Sequence, residues 1–158
     1  MRSGAQDFDF LFGSWNVTHR RLKERLTGSL DWEEFSGASA TRPILGGLGN
    51  IEENDIHLPS GAYLAIAFGS FDPNTGRWAL LWLDQRSPHG LDVPVVGSFN
   101  EGIGIFDADD VLDGRSIKVR FQWNTHDEDG VPKWQQSFSA DGGRTWETNW
   151  QMSFSRAS

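Results

Sequence analysis

Ser116-Ile117-Lys118-Val119-Arg120-Phe121-Gln122-Trp123-Asn124-Thr125 decides the fold class. Side chains alternate faces along a β-strand, so Ile117, Val119, Phe121 and Trp123 share one face. Lys118, Arg120, Gln122 and Asn124 share the other. A period of two is a strand signal, and one apolar face against one polar face means a sheet wetted on one side. Working outward, Asp127-Glu128-Asp129-Gly130 reads as a hairpin turn. It leads into a strand over residues 132–139 that sets Trp134, Gln136 and Phe138 in phase. Asp141-Gly142-Gly143 opens a strand over residues 144–154, where Trp146, Trp150, Met152 and Phe154 oppose Glu147, Asn149, Gln151 and Ser153.

Upstream, turn-forming clusters recur every 8–15 residues, and almost nothing between them has helical period. They delimit strands over residues 14–22, 31–42, 47–56, 62–71, 77–85, 93–100 and 102–108, the first preceded by a helical turn over residues 7–12. The sequence thus predicts one all-β domain over residues 1–158, an up-and-down antiparallel barrel of about ten strands with under about 10 % helix. Closure removes the exposed edges that an open meander leaves. Trp15 and Val17 fall together, as do Trp78, Leu80 and Trp82. Seven of the eight tryptophans are expected inside, with Trp32 the exception.

The chain has eight Trp, eleven Phe, one Tyr and no Cys. Without cysteine it has no disulfide, thiolate nucleophile or zinc–thiolate site. That fits a reducing compartment, and a start without a long apolar stretch does not read as a signal peptide, so a cytoplasmic location is expected. No apolar run reaches the roughly 20 residues of a membrane helix, so no membrane partner is expected. The net charge of −8 repels a phosphate backbone, and the basic cluster His19-Arg20-Arg21-Leu22-Lys23-Glu24-Arg25 is short and broken by an acid. Nucleic acid is not an expected partner.

Ser139-Ala140-Asp141-Gly142-Gly143-Arg144-Thr145-Trp146 matches the S-x-D-x-G-x-T-W pattern of a hairpin in which the Asp caps the turn and the Trp anchors inward. Gly46-Gly47-Leu48-Gly49-Asn50 lacks the lysine and helix of a phosphate cradle and reads as a barrel bend or bulge. Asp107, Asp109, Asp110 and Asp113 resemble a calcium loop, but position 12 counted from Asp107 is Lys118, so a solvated hairpin is expected. His19, His57, His89 and His126 have no metal-site spacing. Only His19, in phase with Trp15 and Val17, is placed to orient a ligand or bind haem iron. No catalytic signature, metal or cofactor emerges.

Gly13-Ser14-Trp15, preceded by Phe8-Asp9-Phe10-Leu11-Phe12, resembles the glycine–x–tryptophan opening of lipocalins. With Val17 and His19-Arg20-Arg21-Leu22-Lys23, Gly46-Gly47-Leu48-Gly49-Asn50, Leu83-Asp84-Gln85-Arg86, Val95-Val96-Gly97 and the tail through Trp150, nearly the whole chain is similar to an uncharacterised bacterial family of lipocalin-like domains. The resemblance implies a calycin-like barrel, distantly like lipocalins, fatty-acid-binding proteins and nitrobindins, and assigns no reaction. At the level of fold it implies a small apolar or amphipathic ligand held inside. Only about ten residues separate the first two strands, too few for the helical lid of fatty-acid-binding proteins.

The expected function is binding of a hydrophobic or aromatic, anionic-capable small molecule by Trp15, His19, Arg21, Trp82, Asp84, Arg86, Trp123, Trp134 and Trp150. The first and fifth strands run the same way and both pass from bulky apolar to charged residues, so Asp84 is expected to pair with Arg21 or Arg86 at an open mouth, with His19 beneath. Two alternatives stay open: an enzyme using the same cavity with His19 as acid/base, and a packed barrel serving protein association, a homodimer included.

Overall fold

The computed structural model describes residues 4–125 and 130–157. Turn chemistry and alternation set ten strands: β1 (Gly13–Leu22), β2 (Trp32–Ile44), β3 (Gly49–Ile56), β4 (Tyr63–Asp72), β5 (Arg77–Asp84), β6 (Val95–Asn100), β7 (Ile103–Leu112), β8 (Arg115–Asn124), β9 (Lys133–Ser139) and β10 (Glu147–Arg156). Each is antiparallel to its chain neighbours, and β1 pairs with β10 from Trp15↔Arg156 to Arg21↔Trp150, which closes the barrel. The hairpin turn expected over residues 127–129, and His126, lie outside the described residues.

Helical structure among the described residues is confined to 3-10 turns at Gly4–Gln6, Asp9–Leu11 and Leu45–Gly47. The last corrects the expected bend within a strand. Gly46 (φ 64°) and Gly47 (φ 96°) adopt left-handed conformations that make a tight connection between β2 and β3. β7 also runs further than expected. Asp107 and Asp109 are not in a hairpin loop; they sit on the outer face of β7, each 2.8 Å from a cation on β8, Arg120 and Lys118. Cross-strand pairs of this kind extend the ladder.

The first two 3-10 turns fold beneath the barrel and close its floor. Trp15 donates its indole N–H to the Leu11 carbonyl (2.8 Å) and Trp78 to the Gly4 carbonyl (3.2 Å). Phe8 meets Trp78 and Phe99 edge-on, both at 4.9 Å between centroids. Aromatic pairs in this geometry add to the roughly 150–250 Å² each ring withdraws from water. The interior above the floor is filled mainly by Trp78, Phe106, Trp123, Trp134, Trp150 and Phe154.

Trp146 departs from the expected inward phase. β10 carries a bulge between Thr148 and Trp150, so Glu147↔Phe138 and Trp150↔Gln136 both face inward although they differ in parity. The extra residue reverses the phase. Asn149 takes up the bulge, fully buried, and accepts a hydrogen bond from Gln136 Nε2 (2.9 Å). Trp146 therefore lies outside, half-buried, with the Arg120 guanidinium 4.2 Å above its ring. The Asp141 cap forms as read, its carboxylate accepting from the Arg144 (3.0 Å) and Thr145 (2.9 Å) backbone N–H groups, but Trp146 does not anchor inward: it donates to Gly143 O at 3.1 Å from the outer face. Trp32 also lies outside, beneath Arg20 at 4.2 Å. Six tryptophans point inward, of which Trp82 is half-buried.

Candidate functional site

β1 and β5 run in the same direction, and their charged ends meet at the end of the barrel opposite the floor. Asp84 ends β5, and its carboxylate binds Arg86 through Nε (3.1 Å), Nη2 (2.9 Å) and the backbone N–H (2.9 Å). It also accepts the Trp82 indole N–H at 3.1 Å. The Arg86 hydrogen bond holds the Asp84 carboxyl below its ordinary range. Of the two expected partners, then, Asp84 takes Arg86. The Arg86 guanidinium lies 3.7 Å over the Tyr63 ring, at the start of β4.

Arg21 is left without a carboxylate. Its guanidinium stacks at 4.9 Å on Trp150, and its Nε is buried with no hydrogen-bond partner among the described residues. Burial, and then the charges of Arg25 and Arg86, pull its pKa below the usual arginine value. The Tyr63 hydroxyl beside it is also buried and unpartnered, and burial raises its pKa. A chain of net charge −8 thus gathers three arginines at one rim, with two unmade hydrogen bonds beneath them.

His19 lies beneath Arg21, 1 % exposed. Its ring stacks on Phe35 at 4.8 Å, and its Nδ1 accepts the Trp150 indole N–H at 3.1 Å. Gly37 on β2 makes room for it, since a Cβ there would come within 2.9 Å of Nε2. Burial, then the charges of His57 and Arg21, lower its pKa to about 4, so it is neutral at pH 7. An imidazole so placed orients Trp150, and burial opposes its taking a second proton.

Trp150 links the mouth to the interior. It meets Trp82 at 5.7 Å and Trp134 at 5.4 Å, both edge-on. Trp123 lies lower, tilted on Phe154 at 5.3 Å and near Phe10 at 5.7 Å. Trp15 stands apart at the floor, beneath Arg156 at 3.8 Å. The structure thus brings His19, Arg21, Trp82, Asp84, Arg86, Trp134 and Trp150 into one continuous assembly, with Trp123 and Trp15 below. Two small voids lie inside: one of about 40 Å³ beside Trp82, Trp123 and Trp134, and one of about 70 Å³ beside Trp82, Asp92 and Gln136.

A scan against protein-family models and a search of the curated proteins returned no match. Site assignment therefore rests on geometry. Among the described residues no group of three or more His, Asp or Glu converges on a metal position, and no helix is long and apolar enough to cross a membrane.

Two buried ionisable residues escaped the sequence, Tyr63 at the mouth and Glu52 deeper in the barrel. Glu52 on β3 points inward and is 5 % exposed. One carboxylate oxygen accepts from Asn54 Nδ2 (2.9 Å), and the other has no partner among the described residues. Burial raises its pKa to about 7. In the sequence it sits in Glu52-Glu53-Asn54-Asp55, polar at every position, where period two has nothing to distinguish. The available signal is the phase of Ile56, which Asn50, Glu52 and Asn54 share.

Proposed function

We propose that this protein binds a small amphipathic molecule at the barrel mouth, its anionic group between Arg21 and Arg86 and its aromatic or apolar body against Trp82 and Trp150. The observation that carries this is the unpartnered Arg21 Nε beside the unpartnered Tyr63 hydroxyl. Buried donors left unmade cost about 1–3 kcal/mol each, and a carboxylate or sulfonate supplies acceptors for both. The void of about 70 Å³ next to Trp82 gives the body partial room without repacking. A lipocalin-like kinship, read from the sequence, agrees with this use of the fold. The cysteine-free chain suits a cytoplasmic setting.

The probe that tests it is 8-anilinonaphthalene-1-sulfonate, an aromatic body with one sulfonate. It should bind saturably, and Arg21→Met should abolish binding while leaving thermal stability nearly unchanged. Equal binding by Arg21→Met sinks the mouth as the site. Loss of stability with retained binding makes Arg21 a structural cation.

A second function is favoured by one feature of the outer surface. A hollow of about 700 Å³ lies outside the barrel across β1 to β5, lined by Ala38, Ala40, Leu64, Ile66, Leu83 and Pro88. Leu64 is 54 % exposed. An apolar groove of this kind suits self-association. Sedimentation velocity should then show a dimer that Ile66→Glu dissociates; a monomer at all concentrations removes this function.

A further inference from the structure

Opposite the tryptophans the barrel wall is polar. β2 and β3 turn Ser39, Thr41, Asn50, Glu52 and Asn54 inward, all of them buried. Ser39 Oγ, Thr41 Oγ1, Asn50 Nδ2 and Glu52 Oε2 have no hydrogen-bond partner among the described residues. Asn50 and Glu52 line the void of about 40 Å³, and Trp82, Phe121, Trp123 and Trp134 line its other side. Glu52 is the only ionisable side chain lining it among the described residues: β4 and β5 contribute Ala67, Phe68, Leu80 and Leu81, β10 Met152, and the N-terminal segment Phe8 and Leu11.

A void of this kind needs roughly 10–15 Å³ per water, so it holds a few waters or one compact group. Three requirements fix the chemistry of that group. Glu52 Oε2 lacks a donor, so the group must donate a hydrogen bond, while Asn50 Nδ2 needs an acceptor that a water beside the group supplies. Indole and phenyl rings attract a cation more strongly than they attract a neutral donor. A carboxyl buried without a counter-charge keeps its proton, and an entering cation would let it ionise. We infer that this void is a binding site for a compact protonated amine, ammonium or a methylammonium-sized head, held by Glu52 with Trp82, Trp123 and Trp134 around it. The site lies deep in the barrel and does not depend on occupancy of the mouth.

Methylammonium chloride is the probe, and the indole N–H resonances of Trp82, Trp123 and Trp134 are the readout. At about pH 8, where Glu52 is ionised to a large extent, those signals should shift saturably. Tetramethylammonium, too large for the void, should leave them unmoved. Affinity should fall about tenfold per pH unit below about 7, because a cation binds the ionised carboxyl in competition with its proton. Glu52→Gln should abolish the response, and Arg21→Met should retain it. No saturable shift in the wild type, or an unchanged shift in Glu52→Gln, overturns the proposal. Should Glu52→Gln fail to fold, the wild-type pH series decides alone, and an affinity flat across that range overturns it.

Discussion

Trp123 and Trp146 look alike in the sequence, each an indole alternating with polar neighbours, and the structure separates them. Trp123 is 6 % exposed amid Phe8, Phe10 and Phe154, whereas Trp146 is half-buried on the outer wall under Arg120. Trp123→Ala should cost about 3–5 kcal/mol, the usual loss for a large core aromatic, and Trp146→Ala distinctly less. Paired urea titrations check this; equal losses would put the two indoles in the same environment. Single residues were legible where an apolar side chain marked the phase, as in Trp15, Val17 and Trp123. They were illegible where the inward face is itself polar. Glu52 has no apolar neighbour at i±2, so only the distant Ile56 betrays its direction.

Elements were more legible than residues. Gly, Asn and Asp clusters located the ten strands, because each short connection needs a turn that those residues favour. The bulge in β10 was not legible: Thr148, Asn149 and Trp150 include no glycine to announce an extra residue. The mouth charges were partly legible. Period two brought Asp84 and Arg21 to one rim, and the short Asp84-Gln85-Arg86 turn then decided which cation the carboxylate takes. β2 offers a test at this scale. A Cβ on Gly37 would lie 2.7 Å from the Asp55 carbonyl on β3 and 2.9 Å from His19 Nε2 on β1. The backbone atom cannot swing aside, so Gly37→Ala should lower the melting temperature and broaden the Trp150 indole N–H resonance as its acceptor is displaced. A sharp, unshifted resonance would mean that His19 does not rely on that gap.

At the scale of the whole molecule, two buried groups pull stability in opposite directions with pH. His19 titrates near 4 in the folded protein against 6.5 ordinarily. Between those values the unfolded chain holds the extra proton, so stability is lost as pH falls. Glu52 titrates near 7 against 4.5, so between those values the folded protein holds the extra proton and stability is lost as pH rises. The two windows overlap and offset one another. Glu52→Gln removes one of them: relative to the wild type it should gain about 3 kcal/mol as pH rises from 4.5 to 7. Denaturant melts across that range measure it, and a constant difference would show that Glu52 is not buried as a charge-sensitive group.

The seam between β1 and β10 has a further consequence. Ala157 donates its backbone N–H to Ser14 O at 3.1 Å, Arg156 reaches the Phe12 carbonyl, and the ladder there is longer than that between β5 and β6. The wall is continuous across that seam, hydrogen-bonded as it is between strands joined by a turn. The architecture is a ring, and the order in which its staves are counted is free. A circular permutant cut in the exposed turn at residues 73–75, with a flexible tether carrying residue 157 round to the floor segment, should rebuild the same wall and give the same near-ultraviolet dichroism.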